Sequence, residues 1–289
     1  MNGILLIDKP ADWTSHDVCA KLRGALHERR IGHAGTLDPM ATGLLVVFVG
    51  RATRAVQFAE THDKTYLASL RPGIVTDTQD STGTVLSTGP CEVTQAQLEA
   101  VLPQFLGEIG QIPPMYSAIK RGGQKLCDVA RRGGAVELQP RPIRVDRIDV
   151  LGRDGGDWRL EIACGKGTYV RTLCHDIGQT IGCGACMSAL RRTKAGPFCV
   201  EQACTVEQVL QAAEAGLAES LLLPVDVLFS EEPALTYDED QTRRCHSGQE
   251  LPMDVPDGRY RAYAYDGSFL ALVQAESGRV RTVKSFFEV

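Results

Sequence analysis

At 289 residues, the chain can hold one large domain or a large and a small one, and its 43% hydrophobic and 23% charged residues are typical of a globular protein. The formal net charge of −5 gives no overall argument for a nucleic-acid partner, so any such argument depends on local basic patches. The apolar run 4–7 is too short for a signal peptide, and no stretch approaches the ~20 apolar residues of a membrane span. We therefore expect a cytoplasmic protein without a membrane anchor.

The ten cysteines do not by themselves predict disulfides, because the chain is long and lacks a secretion signal. We expect reduced thiols that serve mostly as small apolar residues. Cys183 and Cys186 form the only C-x-x-C pair, and no second pair completes a four-ligand zinc site. Cys199 and Cys204 could complete one, but their irregular spacing makes a metal site the weaker interpretation.

The chain begins with a short buried strand, 4–7, and an amphipathic helix that Thr14 to Asp17 can cap. A glycine-rich loop, 32–43, follows and leads directly into the apolar strand 44–49. The loop contains three glycines, Pro39 and one carboxylate, Asp38. An Asp-Pro pair is typical of helix N-termini, whereas a carboxylate on a stiff, tight loop is also well placed for chemistry. Spacing alone leaves both interpretations open.

The middle of the chain alternates as a strand over 64–70 and then enters a loop rich in turn formers, 76–83. Thr94 is expected to cap a helix over 95–105, and two prolines keep 111–118 extended. The span 120–147 carries eight Lys or Arg against three acidic residues, a local charge of +5. Such a patch attracts phosphates, although a solvated helix face is an equally ordinary explanation.

The C-terminal half starts with a strand, 158–164, and a Gly-Lys-Gly-Thr turn that leads into a helix from Tyr169. The turn lacks the spacing of a phosphate-binding loop, and no G-x-G-x-x-G occurs, so a nucleotide cofactor has no support. The sequence next predicts two short strands, 189–193 and 198–200, a helix capped by Thr205, and a linker over 224–233. The last predicted strands are 259–265, 269–275 and 279–287, which indicates a small β-barrel appended to a larger α/β core.

Taken together, these segments resemble the bacterial tRNA pseudouridine synthases of the TruB type over nearly the full length. The resemblance rests on several motifs in the right order rather than on one. They are Gly3 to Pro10, Gly32 to Gly43 around Asp38, Asp63-Lys64-Thr65-Tyr66, Thr76 to Asp80, Ile112 to Ala118, Lys166 to Thr172, and Gly182 to Ala185 followed by Leu190-Arg191-Arg192.

The resemblance implies an α/β (α+β) fold with a central, mostly antiparallel mixed sheet flanked by helices. It implies a catalytic domain over 1–228, with a thumb insertion over about 112–147, and a PUA-like RNA-binding β-barrel over 232–289. The last region is less persuasive as a phosphate binder, because 231–289 holds eleven acidic residues against seven basic ones.

The resemblance also implies an activity, the isomerisation of uridine 55 in the T loop of tRNA to pseudouridine, without metal or cofactor. Asp38 matches the catalytic aspartate of the family, and Arg171 matches its arginine partner. Tyr66 matches the aromatic residue on which the flipped base stacks. The remaining expected substrate contacts are His33, Tyr169, Leu190, Asp80 and Lys9, and the expected RNA-backbone contacts are Lys125, Arg131, Arg132 and Arg141.

The expected partner is the T arm of tRNA, bound by a monomer with no obligate protein partner. Archaeal and eukaryotic relatives work in guide-RNA particles and usually carry N-terminal extensions and basic tails, which favours a stand-alone enzyme here. A different class of function, a tRNA-folding helper whose catalysis is secondary, stays open at this point.

Overall fold

A computed structural model of the chain describes residues 1–287 apart from residues 118, 122, 133 and 135, and it gives no side chains for residues 120, 121, 125, 127, 130 and 131. The strands are β1 Gly3–Lys9, β2 Ile31–Ala34, β3 Thr42–Val49, β4 Lys64–Pro72, β5 Ile74–Thr76, β6 Val85–Thr88, β7 Gly107–Gln111, β8 Lys120–Arg121, β9 Gln124–Lys125, β10 Arg141–Asp154, β11 Asp157–Cys164, β12 Ala185–Ala195, β13 Phe198–Cys199, β14 Cys204–Thr205, β15 Ala234–Thr236, β16 Leu251–Pro252, β17 Gly258–Tyr263, β18 Phe269–Glu276 and β19 Arg279–Ser285.

The helices are α1 Ser15–Ala25, α2 Val56–Ala59, α3 Gln95–Val101, α4 Leu126–Arg131, α5 Val170–Ile181, α6 Val206–Glu214 and α7 Glu239–His246, with 3-10 turns at Gly50–Ala55, Leu102–Phe105, Val200–Gln202, Ala218–Leu221 and Val225–Phe229. Thr14, Thr94 and Thr205 cap their helices with full capping boxes, as predicted. No described helix is long and apolar enough to cross a membrane.

Ten strands form the central sheet in the order β14-β1-β3-β12-β4-β11-β10-β7, with β2 beside β3 and β13 beside β12. Among the described pairings of this sheet, only β1–β14 and β3–β12 are parallel, which confirms the predicted mixed, mostly antiparallel sheet. β3 is buried on both faces, because Leu44, Val46 and Phe48 belong to one hydrophobic core while Leu45, Val47 and Val49 belong to another. This two-sided burial explains its continuous apolar run.

The other half of the sheet has one covered face. Tyr66, Ala68 and Leu70 of β4 face a core that includes Leu173 and Ile177 of α5, whereas Leu67 and Ser69 on the opposite face are partly exposed. Gly182, in the left-handed conformation with φ 95°, ends α5 and turns the chain into β12. The sequence predicts a strand over 189–193, but β12 is longer and runs as one strand from Ala185 to Ala195.

The five-stranded C-terminal half-barrel sheet has the order β15-β17-β18-β19-β16 and contains the three predicted strands. The prediction of a linker over 224–233 is wrong for most of its length. A 3-10 turn places Phe229 in a cluster with Phe58 of α2 and Phe286, at ring-centroid distances of 5.4 and 5.9 Å. The apolar residues of this segment are buried between the two sheets and pack against both of them.

The expectation of reduced thiols is wrong at one pair, because Cys91 and Cys183 form a disulfide with a Cα–Cα distance of 5.9 Å. Tertiary folding brings together two cysteines 92 residues apart in sequence, so no local spacing indicates the bond. Cys186, the other member of the C-x-x-C pair, is a buried free thiol. In the described part of the chain, no group of three or more His, Cys, Asp or Glu residues is arranged to hold a metal ion.

Candidate active site

The Asp38 loop crosses from β2 to β3 as a tight turn, and no helix follows it. The helix N-cap interpretation is therefore wrong, since the Ala41 N–H donates to the Asp38 carbonyl at 3.0 Å and the chain continues directly into β3. Gly43 requires its glycine, because at φ 96° a Cβ would lie 2.3 Å from the Arg192 carbonyl oxygen. The loop is held close against β12 for this reason.

Lys9 and Ser15 anchor the same loop from the N-terminal strand and helix. The fully buried Lys9 ammonium donates to the carbonyl oxygens of Pro10, Trp13 and Pro39, at 2.8, 2.6 and 3.1 Å. The Leu37 N–H donates to Ser15 Oγ at 2.9 Å. Burial lowers the pKa of Lys9 to about 8. Lys9 and Ser15 thus hold the two neighbours of Asp38, Pro39 and Leu37. Lys9 is an expected substrate contact, but it does not line the cavity described below.

Arg171 projects from the first turn of α5 and bridges two carboxylates. Its Nη1 lies 3.5 Å from Asp38 Oδ2 and 3.2 Å from Asp80 Oδ2, and its Nη2 donates to the Tyr116 carbonyl at 2.5 Å. The Arg171 side chain is 7% exposed and that of Asp80 is 3% exposed, whereas that of Asp38 is 33% exposed. Of the two carboxylates, Asp38 is the one that a ligand can reach.

Burial is the main influence on the Asp38 carboxyl and raises its pKa above that of an ordinary aspartate. The Arg171 guanidinium and the Lys9 ammonium act in the opposite direction, whereas the Asp80 carboxylate raises the pKa further. A partly desolvated carboxylate of raised pKa is more reactive than a fully hydrated one, and its cationic partner keeps it oriented.

The open side of Asp38 faces a cavity of about 280 Å³. Of the residues predicted from the sequence, Asp38, Tyr66, Tyr169, Arg171 and Leu190 line it together. Arg171 Nε and Ser117 Oγ, both in residues of the cavity wall, are buried and have no hydrogen-bond partner among the described residues. Unpaired buried polar atoms in a cavity wall are available to a bound ligand.

Two buried cations of the wall, Lys64 and Arg192, were not among the predicted contacts. Arg192 is 1% exposed and donates to the carbonyls of Leu44 and Gly35 at 2.7 and 2.9 Å, on either side of the Asp38 turn. Lys64 donates to the carbonyls of Glu60 and His62 at 2.8 and 2.5 Å. Both residues belong to sequence motifs given above, and this membership could have indicated their place in the site.

Besides Lys9, two more predicted substrate contacts, Asp80 and His33, lie away from the cavity wall. Asp80 is behind Arg171, where Oδ1 accepts hydrogen bonds from Thr78 and Thr82 and Oδ2 accepts from Arg171. His33 lies on β2 beside Val47, and burial lowers its pKa, with Arg192 acting in the same direction. The structure therefore brings Asp80 to the site as a partner of Arg171, and it brings His33 to the edge of the Asp38 loop.

The basic span divides into two structural parts. Arg132 is exposed, and the side chains of Lys125 and Arg131 lie outside the described residues. Arg141 is exposed on β10, in the central sheet and not in the insertion. On the same strand Arg144 pairs with Asp63 at 2.5 Å and with Asp146, and Arg147 pairs with Asp149 and Glu161. The local excess of positive charge is thus partly neutralised.

A larger cavity, of about 680 Å³, lies where the two sheets meet. Its wall contains as many acidic residues as lysines and arginines. The acidic ones include Asp63, Glu231 and Glu232, and the basic ones include Lys194 and Arg259. This mixture of charges does not select an anionic ligand. The smaller cavity at Asp38 carries the converging, oriented polar groups that are typical of an active site.

Comparison with known proteins identifies the fold and the family. Residues 23–170 match the family model of the TruB family pseudouridylate synthase N-terminal domain, and residues 171–230 match that of the tRNA pseudouridylate synthase B C-terminal domain. A protein of Stutzerimonas stutzeri (strain A1501), named tRNA pseudouridine synthase B, is 42% identical over 97% of this chain and 94% of its own length. A protein of the same name from Ralstonia nicotianae (strain ATCC BAA-1114 / GMI1000) is 43% identical over 88% of this chain and 82% of its own.

Solved structures agree. A chain of a Cbf5-Nop10-Gar1 complex superposes with a TM-score of 0.76 at 27% identity, covering 99% of this chain and 85% of that one. A chain of an H/ACA RNP bound to a substrate RNA containing 2'-deoxyuridine gives 0.75 at 25% identity, with the same coverage. With the Asp38 cavity and the central sheet in place, these matches show that the chain belongs to the TruB family of pseudouridylate synthases.

Proposed function

We propose that the chain is a tRNA pseudouridine synthase that isomerises uridine 55 of the T loop, with Asp38 as its catalytic residue. The observation that carries the proposal is the partly exposed Asp38 carboxylate, held by Arg171 at the wall of a small cavity that Tyr66 also lines. The names of the relatives supply the substrate class, tRNA, and the family supplies the reaction.

The reaction rearranges one nucleotide and consumes nothing. The C1′–N1 glycosidic bond breaks, the uracil turns within the pocket, and C5 bonds to C1′. C5 then loses its proton and N1 gains one, so the reaction is balanced. Asp38 assists bond cleavage by attack on the sugar, by attack on the base or by removal of the C2′ proton. All three routes need an ionised, oriented carboxylate, which the contact with Arg171 and the anchored loop provide.

The cavity is recessed between the Asp38 loop and the start of α5, so a uridine stacked in an RNA loop must first flip out to enter it, at a cost of a few kcal/mol. Tyr66 offsets part of this cost if the base stacks on its ring, a contact worth about 1–3 kcal/mol. Leu190 and Tyr169 line the same cavity and complete its apolar and aromatic surface. Lys64 and Arg192 add positive charge at the wall, which suits the phosphates on either side of a flipped nucleotide.

The rest of the molecule serves RNA docking in this proposal. We assign residues 1–228 to the catalytic domain and residues 232–289 to a PUA-like module that assists docking. Because β10 of the central sheet begins at Arg141, we assign the thumb to about 112–140 instead of the predicted 112–147. The enzyme acts in the cytoplasm as a monomer, without an obligate protein partner. The solved neighbours belong to complexes with other proteins, which is a property of those complexes.

The decisive experiment is to incubate a T-arm minihelix with the protein and to map pseudouridine at nucleotide resolution. Wild-type protein should modify one uridine, and Asp38→Asn should lose at least about 10⁴-fold in rate while RNA affinity changes less than about threefold. Asp154→Asn, an exposed aspartate on β10, is the matched control and should behave as wild type. Undiminished product from Asp38→Asn would contradict the assignment, and intact binding without product in the wild type would favour a folding helper.

The thumb assignment has its own test. Replacing Arg131 and Arg132 by Ala should weaken RNA binding and lower the slope of log affinity against log salt by roughly one unit per lost phosphate contact. Arg153→Ala with Arg159→Ala removes the same charge from exposed positions of β10 and β11 and should leave the slope unchanged. Equal slopes for the two double variants would refute a special role for the thumb.

A further inference from the structure

The loop between β5 and β6 is built around Asp80. Thr78 Oγ1 donates to Asp80 Oδ1 at 2.8 Å, and both the N–H and the hydroxyl of Thr82 donate to the same oxygen, at 3.0 and 2.5 Å. The Thr76 hydroxyl donates to the Asp80 carbonyl at 2.6 Å. With Oδ1 saturated by three donors, the remaining oxygen, Oδ2, is directed to Arg171.

Gln79, the residue before Asp80, has a strained backbone. Its φ of 65° lies in the left-handed region, which residues other than glycine, asparagine and aspartate rarely adopt because their Cβ crowds the backbone. The turn is nevertheless pinned to the sheet, because the Met187 N–H donates to the Gln79 carbonyl at 3.0 Å and the Ser81 N–H donates to the Met187 carbonyl at 2.9 Å. Strain of this kind persists only where the surroundings over-determine the conformation, and it concentrates at functional sites.

The side chain of Gln79 connects this strained turn to α5. The Thr172 hydroxyl donates to Gln79 Oε1 at 2.6 Å, and Thr172 is 1% exposed. Thr172 directly follows Arg171 on the first turn of α5. The bond therefore ties the base of Arg171 to the turn that presents Asp80, while the ion pair ties the tip of Arg171 to the same turn.

We propose that Gln79 is a positioning residue for the reaction: its side-chain bond to Thr172 and its left-handed backbone together set the Asp80 carboxylate against Arg171, and so set Arg171 against Asp38. This inference rests on the proposed function. Asp38 touches the substrate, whereas Gln79 acts only through Asp80 and Arg171. The backbone carbonyl of Gln79 is bound to β12 and its side-chain amide is bound to α5, so this residue fixes the spacing between the sheet and the helix at the cavity.

If the bond between Gln79 and Thr172 is lost, α5 and the Asp80 turn are free to separate, and Arg171 moves with one of them. The Nη1 contact with Asp38, already 3.5 Å long, then weakens. A small misplacement of a positioning cation lowers the chemical rate without touching the surfaces that bind RNA.

The test compares Gln79→Gly, which keeps the left-handed conformation but deletes the amide, with Thr172→Val, which deletes the hydroxyl and keeps the shape. Each variant should lower the single-turnover rate on the T-arm minihelix about tenfold, with RNA affinity within twofold of wild type. The double variant should be no slower than either single one, because both break the same bond. Thr172→Ser, which keeps the hydroxyl, should restore at least half of the wild-type rate.

The pH profile separates positioning from general loosening. Arg171 and Lys9 lower the Asp38 pKa while burial and Asp80 raise it, so a weaker Arg171 contact moves the acid limb of the rate profile to higher pH in both single variants. Two controls should leave the limb in place. They are Ser277→Gly, which relieves a positive φ of 51° in the turn between β18 and β19, and Thr180→Val, which removes a hydroxyl that donates to the Asp176 carbonyl on α5.

An unshifted acid limb in Gln79→Gly, or a wild-type rate in either single variant, would overturn the positioning role. Because Gln79 is only partly buried, its glycine variant remains a test if Thr172→Val fails to fold. Failure of the proposed function gives a different result, since the wild-type protein itself would then form no pseudouridine.

Discussion

The active-site cavity and the C-terminal region both contain arginines, but these arginines differ in how deeply they are buried and in how many partners they bind. Arg171 and Arg192 are buried beside the cavity, and each is bound by several oxygen atoms from distant parts of the chain. In the C-terminal region Arg243, Arg279 and Arg281 have side-chain exposures of 74, 74 and 60%, and each pairs with one nearby acidic residue.

Buried and exposed arginines therefore have different electrostatic roles. A buried guanidinium with fixed partners cannot rearrange, so its field at Asp38 is set before any substrate arrives. An exposed arginine beside a carboxylate is mobile, screened by salt and largely neutralised. The cavity is therefore organised for chemistry, whereas the C-terminal sheet offers RNA little fixed positive charge.

Within this comparison of arginines, the largest expected effect comes from removing the guanidinium fork of Arg171 while keeping its charge. Arg171→Lys cannot reach Asp38, Asp80 and the Tyr116 carbonyl together, so the catalytic rate should fall by about 10²-fold. The Asp38 pKa should rise, because Arg171 lowers it, and activity that requires the carboxylate should then be lost at a higher pH than in the wild type. Rate profiles between about pH 4 and 8 measure both effects.

Arg191→Lys is the matched control. Arg191 binds Asp8 through two bonds of 2.9 and 2.8 Å on the adjacent β12, so its fork is lost in the same way. It does not line the Asp38 cavity. If Arg191→Lys shifted the acid limb as far as Arg171→Lys, the special position of Arg171 would be disproved.

The next largest effect is expected from removing the disulfide that stabilises the catalytic part of the chain. The Cys91–Cys183 disulfide ties the segment after β6 to the turn after α5 and closes a loop of 92 residues. Cys91→Ser, or addition of a reductant, should lower the free energy of unfolding by about 2–4 kcal/mol in denaturant titrations. Cys199→Ser, at a partly buried free thiol, should change stability less and leave the sensitivity to reductant intact. A wild-type midpoint that ignores reductant would show that the bond contributes nothing.

The smallest effect is expected in the C-terminal sheet. Arg281→Ala breaks an exposed pair with Glu276 at 3.6 Å and should cost no more than about 0.5 kcal/mol. Arg261→Ala should cost more, about 1–2 kcal/mol, because this side chain donates to the Glu232 carbonyl at 2.9 Å and lies over the Tyr263 ring. Thermal unfolding at low and high salt compares the two. Equal losses would remove the distinction between exposed and anchored arginines.

The sequence by itself determined the local structure and the family. Capping residues such as Thr14 and Thr205 and the apolar run of β3 depend on near neighbours in the chain, so their patterns predicted helices and strands correctly. The ordered motifs, from Gly3 to Arg192, indicated a pseudouridine synthase and pointed to Asp38, Tyr66 and Arg171 before any geometry was known. The five predicted residues that share the cavity are all explained by this resemblance.

Only the tertiary structure decided which of these residues meet. Asp80 lies behind Arg171 instead of facing the cavity, Arg141 belongs to the central sheet, and Cys91 bonds Cys183, because each outcome depends on contacts between segments far apart in sequence. The Asp-Pro pair precedes a strand, since the β3 pairings with β1 and β12 outweigh a local preference for a helix start. The Asp38 carboxylate, an ambiguous feature of one loop, becomes a site only when α5 brings Arg171 to within 3.5 Å of it.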